Sequence, residues 1–150
     1  HNPHARPLRV TVRDALPPGF VLPLANALLM LGLTAYWRAL RQFDGEPWGA
    51  ICASIIEQLP RKVYVSFDID GLDPRLCPHT GTPVPGGLDF HEAVFVLREV
   101  VRAGRKIVGF DLNEVAPGPE GDEWDGNVGA RVLYKLMGFT LASQGRARLL

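Results

Sequence analysis

Two apolar runs that each end in carboxylates constrain the fold more than any other feature of this chain. Residues 63–68 read Val-Tyr-Val-Ser-Phe-Asp and are followed by Asp70, while residues 107–112 lead into Glu114. Short apolar runs bounded by Gly and Pro are typical of buried strands. A helical pattern lies between the two runs, and the order strand–helix–strand predicts a parallel sheet with a right-handed crossover. We therefore expect an α/β fold with a mainly parallel sheet.

Three helices are predicted around these strands. The first covers residues 47–58, where apolar side chains recur every four residues. Asp89 and Glu92 have the spacing of a capping box that opens the second helix, and Gly104 is placed to end it. The third is predicted near residues 127–137. Each helix has an apolar face, so the helices are expected to pack against the sheet.

The carboxylates that follow the two strands are the first candidates for a site. Side chains two residues apart in a strand lie on the same face, so Asp68 and Asp70 are expected to project together. Carboxylate oxygens suit hard cations such as Mg²⁺ or Mn²⁺. The alternative is a solvated turn in which the aspartates only cap backbone groups. Because ligands of open α/β sheets bind outside the carboxyl ends of the strands, Glu114 is predicted to converge on the two aspartates there.

A stiff loop follows the first strand. Residues 77–87 contain three prolines and three glycines, a composition that fixes the backbone and lets it approach a ligand closely. His79 lies in this loop, and its titration range suits contact with substrate or proton transfer. The alternative for His79 is a solvated or hydrogen-bonded loop residue. Cys77 and Cys52 are expected to be reduced thiols of a cytoplasmic protein, with no nucleophilic role for Cys77.

Charge balance argues against nucleic acid and anionic membrane surfaces as partners. The chain has 150 residues, enough for one modest domain, and carries 16 Lys plus Arg against 16 Asp plus Glu. With no net charge there is no global field to attract nucleic acid or an anionic membrane. We also expect the chain to form a homo-oligomer.

Several motifs together resemble the ureohydrolases, the family of arginase, agmatinase and related hydrolases of guanidino groups. The resemblance extends over about residues 39–139. Its motifs are Ser-Phe-Asp-Ile-Asp-Gly-Leu-Asp-Pro at 66–74, Thr-Gly-Thr-Pro at 80–83, Gly-Gly at 86–87, and Gly-Phe-Asp at 109–111 with Glu-Val at 114–115. They occur in the order that the family shows.

The resemblance implies a three-layer α/β/α fold of the arginase type and a site with two Mn²⁺ ions. By resemblance, Asp68 would bridge both ions, Asp70 would bind one of them, and Glu114 would hold the guanidinium of agmatine or arginine. Metal-bound hydroxide would attack the guanidino carbon, and urea would be released. The chemistry agrees, because paired metal ions lower the pKa of bound water. A carboxylate also accepts two parallel hydrogen bonds from a guanidinium.

Two family motifs that carry further metal ligands, Gly-Gly-Asp-His-Ser and Asp-Ala-His-x-Asp, have no counterpart in this chain. The chain thus resembles the carboxyl-terminal portion of the family, and its fold is expected to be incomplete. His1 and His4 have neither the spacing nor the context to replace the missing ligands. Two functions stay open: a manganese-dependent ureohydrolase, and an inactive fragment or pseudoenzyme that keeps the fold with an incomplete metal site.

The first 38 residues differ from the rest of the chain, and we predict a divergent amino-terminal segment at 1–38 and a ureohydrolase-like portion at 39–150. A short strand is expected at residues 8–13. Residues 15–37 contain no charged side chain. They suit a buried or partner-covered helix, and on length alone they would span a bilayer. The second reading would make the chain a membrane-associated binding module.

Overall fold

The computed structural model describes residues 38–149. After a helical stretch at 38–42, the elements follow in alternation. Their bounds are α1 Trp48–Glu57, β1 Lys62–Asp68, α2 Phe90–Arg102, β2 Lys106–Asn113 and α3 Trp124–Ser143, with 3-10 turns at Ile69–Gly71 and Pro119–Gly121. The predicted α/β class is confirmed.

The two described strands form a parallel pair. Val63 lies opposite Ile107 and Asp68 opposite Asn113, with an irregularity after Val63 that brings Tyr64 opposite Gly109. A Cβ atom on Gly109 would lie 2.8 Å from Cε2 of Tyr64, so this position has no room for a side chain. The parallel pairing brings the ends of both strands to one edge of the sheet, as the strand–helix–strand order predicted.

The hydrophobic core lies between one face of the sheet and the three helices. Val63, Val65 and Phe67 alternate along β1 toward this core, where Ile107 of β2 joins them. Tyr64 and Ser66 lie on the opposite face and are half-buried. The helices contribute most of the other buried apolar side chains of the cluster, namely Cys52, Ile56, Ala93, Val96, Leu97, Val100, Val128, Val132 and Leu136. The segments between β1 and α2 add Ile69, Leu72, Cys77 and Leu88.

The helix ends follow local signals in part. The capping box of α2 forms as predicted: Asp89 accepts from the His91 amide at 2.8 Å, and Glu92 accepts from the Asp89 amide at 2.9 Å. The prediction for α3 was too short, since the helix runs from Trp124 to Ser143. The helix continues past residue 137, where partly buried Phe139 packs against the core, and it stops before Gly145, which has a φ of 72°.

The predicted strand at 8–13 and the apolar segment at 15–37 lie outside the described residues, and the boundary at residue 39 stays a prediction. Within 38–149, no helix has both the length and the apolar character needed to cross a membrane.

Candidate active site

Asp68 and Asp70 meet by a different route from the one that strand geometry predicted. Asp68 is the last residue of β1, whereas Asp70 lies in the 3-10 turn at Ile69–Gly71. The Oδ1 atom of Asp68 accepts from the Asp70 amide at 2.9 Å and caps this turn. Asp68 therefore stays exposed while Asp70 turns inward and is 9% exposed. The prediction that both side chains share one face of a strand was wrong, because the strand ends before Asp70.

Two threonines of the 77–87 loop hold the carboxylate of Asp70. The buried hydroxyl of Thr80 donates to Oδ1 of Asp70. Oδ2 accepts from the Thr82 amide at 3.0 Å and from the Thr82 hydroxyl. Charge-assisted bonds of this kind are stronger than neutral ones, so they fix the orientation of the carboxylate.

Glu114 joins the same group of residues through Thr80 and Gly81. The Thr80 hydroxyl lies 3.0 Å from the carbonyl oxygen of Glu114. A Cβ atom on Gly81 would lie 2.8 Å from Oε2 of Glu114, so the loop passes close to this carboxylate. Glu114 has a φ of 62°, a left-handed conformation that is costly for a residue with a side chain. Backbone strain of this kind is concentrated at functional sites. Here the strained residue changes the direction of the chain just after β2.

The carboxylate of Asp68 lies close to two other acidic side chains, Asp70 and Asp111. Nearby protein atoms desolvate its carboxylate, and the charges of Asp70 and Asp111 add to this effect, so the pKa of Asp68 is raised. The amide bond from Asp70 opposes the shift in part. Asp111 is itself held across the strands, where its Oδ1 accepts from Ser66 at 2.6 Å and from Asn113 at 2.7 Å. A bound cation would relieve the repulsion among these acids.

His79 is held by Asp125 of α3. Its amide donates to Oδ2 of Asp125 at 2.9 Å, and its Nδ1 lies 3.2 Å from Oδ1. A Cβ atom on Gly118 would lie 2.7 Å from the His79 ring, so the ring fills the space between Gly118 and Asp125. Asp125 is 0% exposed, whereas the neighbouring acids Glu120, Asp122 and Glu123 are exposed.

The two cysteines are free and buried. Burial, reinforced by the charges of Asp125 and Asp70, raises the pKa of the Cys77 thiol to about 12. Burial likewise raises the pKa of Cys52 to about 12. A raised pKa favours the protonated thiol at neutral pH, which makes Cys77 a poor nucleophile.

The carboxylates suit one side of a metal site. A carboxylate has about four acceptor positions. Asp70 uses three of them for Thr80 and Thr82, which leaves one on Oδ1, and Asp68 uses one for the Asp70 amide. Both can therefore still offer oxygen to a hard cation. Among residues 38–149, however, no group of three or more His, Cys, Asp or Glu side chains could hold a metal ion.

An open cavity of about 760 Å³ begins directly after Glu114. It is lined by residues 115–117 and by residues of the segment 122–127 at the start of α3. Val115 and Trp124 are 42% and 49% exposed there. The cavity is continuous along the chain with the turn that presents Glu114.

Sequence reasoning missed three residues that shape the site. Thr80 and Thr82 were recognised only as part of a motif, although their spacing of two residues would let both hydroxyls reach one acceptor. Asp125 was recognised only as part of the start of the last helix, because acidic residues in a loop are usually solvated. Its contact with His79 joins residues 46 positions apart.

Comparison with known proteins agrees with the motifs. The model of a family described as the Arginase family matches residues 27–138. The N(1)-aminopropylagmatine ureohydrolase of Thermus thermophilus is 46% identical over 63 residues, which cover 42% of this chain and 21% of that protein. The protein of the same name from Synechocystis is 34% identical over 153 residues, covering 96% of this chain and 47% of its own length.

The fold comparison points the same way. The crystal structure of a hypothetical agmatinase from Burkholderia thailandensis matches with a TM-score of 0.56 and 32% identity, over 75% of this chain and 34% of that one. The chain thus spans less than half the length of the curated relatives that it matches.

Proposed function

Because the chain belongs to the arginase family, we propose that it contributes one side of the active site of a manganese-dependent hydrolase of guanidino compounds. The substrate is of the agmatine or arginine type, and the reaction releases urea. The observation that carries the proposal is the convergence of Asp70 and Glu114 on Thr80, at the carboxyl ends of two parallel strands. Ligands of open α/β sheets bind at this edge.

In this proposal Asp68 and Asp70 hold the metal. The bonds from Thr80 and Thr82 keep Asp70 in one orientation before the ion arrives, which lowers the entropic cost of binding. Asp68 is repelled by Asp70 and Asp111, so a divalent cation gains affinity by neutralising this charge. When bound, the manganese ions supply a nucleophile at neutral pH by lowering the pKa of water.

Glu114 is proposed to bind the guanidinium of the substrate. Its carboxylate projects from a turn with a left-handed backbone, beside Gly81, and is not neutralised by an ion pair within residues 38–149. Two parallel charge-assisted hydrogen bonds would orient the guanidino carbon toward the metal side of the site.

His79 is proposed as a group that moves protons. Asp125 engages Nδ1, so Nε2 is the nitrogen left to exchange a proton with a leaving amine or with water. The ring is partly accessible, with 26% of its side chain exposed. A general acid needs such access to its partner.

The decisive experiment combines Mn²⁺ titration calorimetry with a urea-release assay on agmatine and arginine. We expect Mn²⁺ uptake that Asp68→Ala abolishes. Glu57→Ala is the matched control. Glu57 is an exposed carboxylate at the end of α1, close to the amino-terminal end of β1 and therefore far from the carboxyl ends of the strands. Equal Mn²⁺ affinity in both variants would refute the role of Asp68.

A second function is favoured by one observation. Asp68 and Asp70 are too few to close a metal site, and residues 38–149 contain no cluster of three or more metal-ligating side chains. The alternative is therefore an inactive fragment or pseudoenzyme that keeps the fold. A folded chain that takes up no Mn²⁺ and releases no urea would establish it.

Assembly and location are further parts of the proposal. Helix α3 leaves apolar side chains exposed along one side, namely Leu133, Tyr134, Met137 and Leu141. Such a stripe suits contact with a second copy of the chain, which light scattering on the purified protein would detect. The two free, buried thiols suit a reducing compartment such as the cytoplasm.

A further inference from the structure

We propose that Asp125 is a positioning residue for the metal-binding carboxylate of Asp70, acting through His79 and the 77–87 loop. The proposal rests on the proposed function in that Asp70 is taken as a metal ligand. Asp125 itself touches neither Asp70 nor Glu114 in any described contact. It acts at the start of the loop segment whose threonines hold Asp70.

The burial of Asp125 is the first argument. Its side chain is 0% exposed, and an ionised carboxylate is costly to bury unless it is paired. Both of its hydrogen bonds within the described residues go to His79, one to the backbone amide and one to the ring. A buried carboxylate that bonds to both the amide and the ring of one loop residue fixes the backbone and the side chain of that residue.

The loop transmits this constraint over a short distance. Thr80 follows His79 directly, and its hydroxyl bonds to Asp70. Thr82 lies two residues further on, and its amide bonds to the other oxygen of Asp70. Pro78 and Pro83 flank the segment and restrict its backbone. A displacement of the His79 backbone is therefore expected to move the Thr80 and Thr82 donors that orient Asp70.

The other groups around the His79 ring do not replace the contact with Asp125. The His79 ring lies so close to Gly118 that a Cβ atom there would come within 2.7 Å of two ring atoms. Asp122 is the other carboxylate near the ring, but it is 3.9 Å from Nδ1 and 47% exposed. Asp125 is thus the residue that holds the ring from the buried side.

Amide hydrogen exchange of the full chain without metal tests the proposal directly. In Asp125→Asn we expect the Thr82 amide to exchange roughly tenfold faster, since its bond to Asp70 opens more often. The Leu97 amide in α2 reports global stability and should change much less. Glu120→Gln is the matched control, because it removes an exposed acid in the 3-10 turn that precedes α3. An unchanged Thr82 exchange rate in Asp125→Asn would overturn the proposal.

A second variant keeps the test decisive if Asp125→Asn does not fold. His79→Ala removes the ring contact and keeps the amide bond to Asp125, so a smaller acceleration at Thr82 is expected. No acceleration relative to Glu120→Gln would overturn the proposal by this route as well.

Titration with MnCl₂ separates this inference from the proposed function. If the unaltered chain binds Mn²⁺, we expect Asp125→Asn to weaken binding roughly tenfold through the disordered Asp70 carboxylate, and Glu120→Gln to leave it unchanged. Unchanged affinity in Asp125→Asn would overturn the proposal. If the unaltered chain binds no Mn²⁺, the proposed function fails, and the exchange rates still decide whether Asp125 positions Asp70.

Discussion

The substitution Thr80→Val removes the hydroxyl that links Asp70 to Glu114 and keeps the shape of the side chain. Thr80 is 6% exposed, so the carboxylate of Asp70 that loses its donor cannot turn to water without moving the loop. A hydrogen bond to a charged group contributes about 1.5–3 kcal/mol to stability. We expect Thr80→Val to lower the free energy of unfolding by about 2 kcal/mol, because the added methyl group offsets part of this loss.

Thr140→Val is the matched control, since it makes the same chemical change in a different environment. The hydroxyl of Thr140 is buried without a hydrogen-bond partner among the described residues. Replacing a buried polar atom that has no partner with an apolar group is neutral or stabilising. Thr140→Val is therefore expected to leave the unfolding free energy unchanged or to raise it slightly.

Urea denaturation of the two variants and the unaltered chain, followed by circular dichroism, measures both effects. A loss of 2 kcal/mol in a chain of this size also lowers the melting temperature by about 4–8 °C. Equal stability of Thr80→Val and Thr140→Val would refute the reasoning. It would mean that the Thr80 hydroxyl does not contribute to holding the Asp70 carboxylate.

Two other predictions follow from local geometry. The Arg75 guanidinium holds the pKa of Asp73 at about 2, below its ordinary 3.8. The pair thus contributes stability above pH 4 that is lost as the pH falls through 2, and NMR titration of Arg75→Ala should return the pKa of Asp73 toward 3.8. Gly109→Ala should destabilise the fold by about 1–3 kcal/mol through its clash with Tyr64. Gly138→Ala, in open space on α3, should stabilise it by about 0.5–1 kcal/mol; the opposite order in thermal denaturation would contradict the packing argument.

Much of the fold was predictable because its signals are local. The apolar runs that became β1 and β2, and the capping box at Asp89 and Glu92, each act over a few residues. The end of α3 was not predictable in this way. Its last turns depend on tertiary contacts, since the Ile107 amide of β2 donates to the Ser143 hydroxyl oxygen at the end of α3 at 3.0 Å.

The candidate site was likewise predictable only in part. The motif residues Asp68, Asp70 and Glu114 could be named as candidates from sequence, since acids that follow parallel strands are expected at one edge of a sheet. How they meet could not be named. The turn after Asp68 changes the direction of Asp70, and the partners of Asp70 come from a loop more than ten residues away in the case of Thr82.

Short segments of the chain were enough to predict the class of fold, the order of its elements and the chemical character of the site, because periodicity, turn residues and carboxylates are local properties. Which groups are buried and which meet depended on how distant segments pack together. Asp125 became a buried partner of His79, and Thr80 came to lie between Asp70 and Glu114. Such contacts join residues far apart in the chain, and their energies depend on burial, which no single segment specifies.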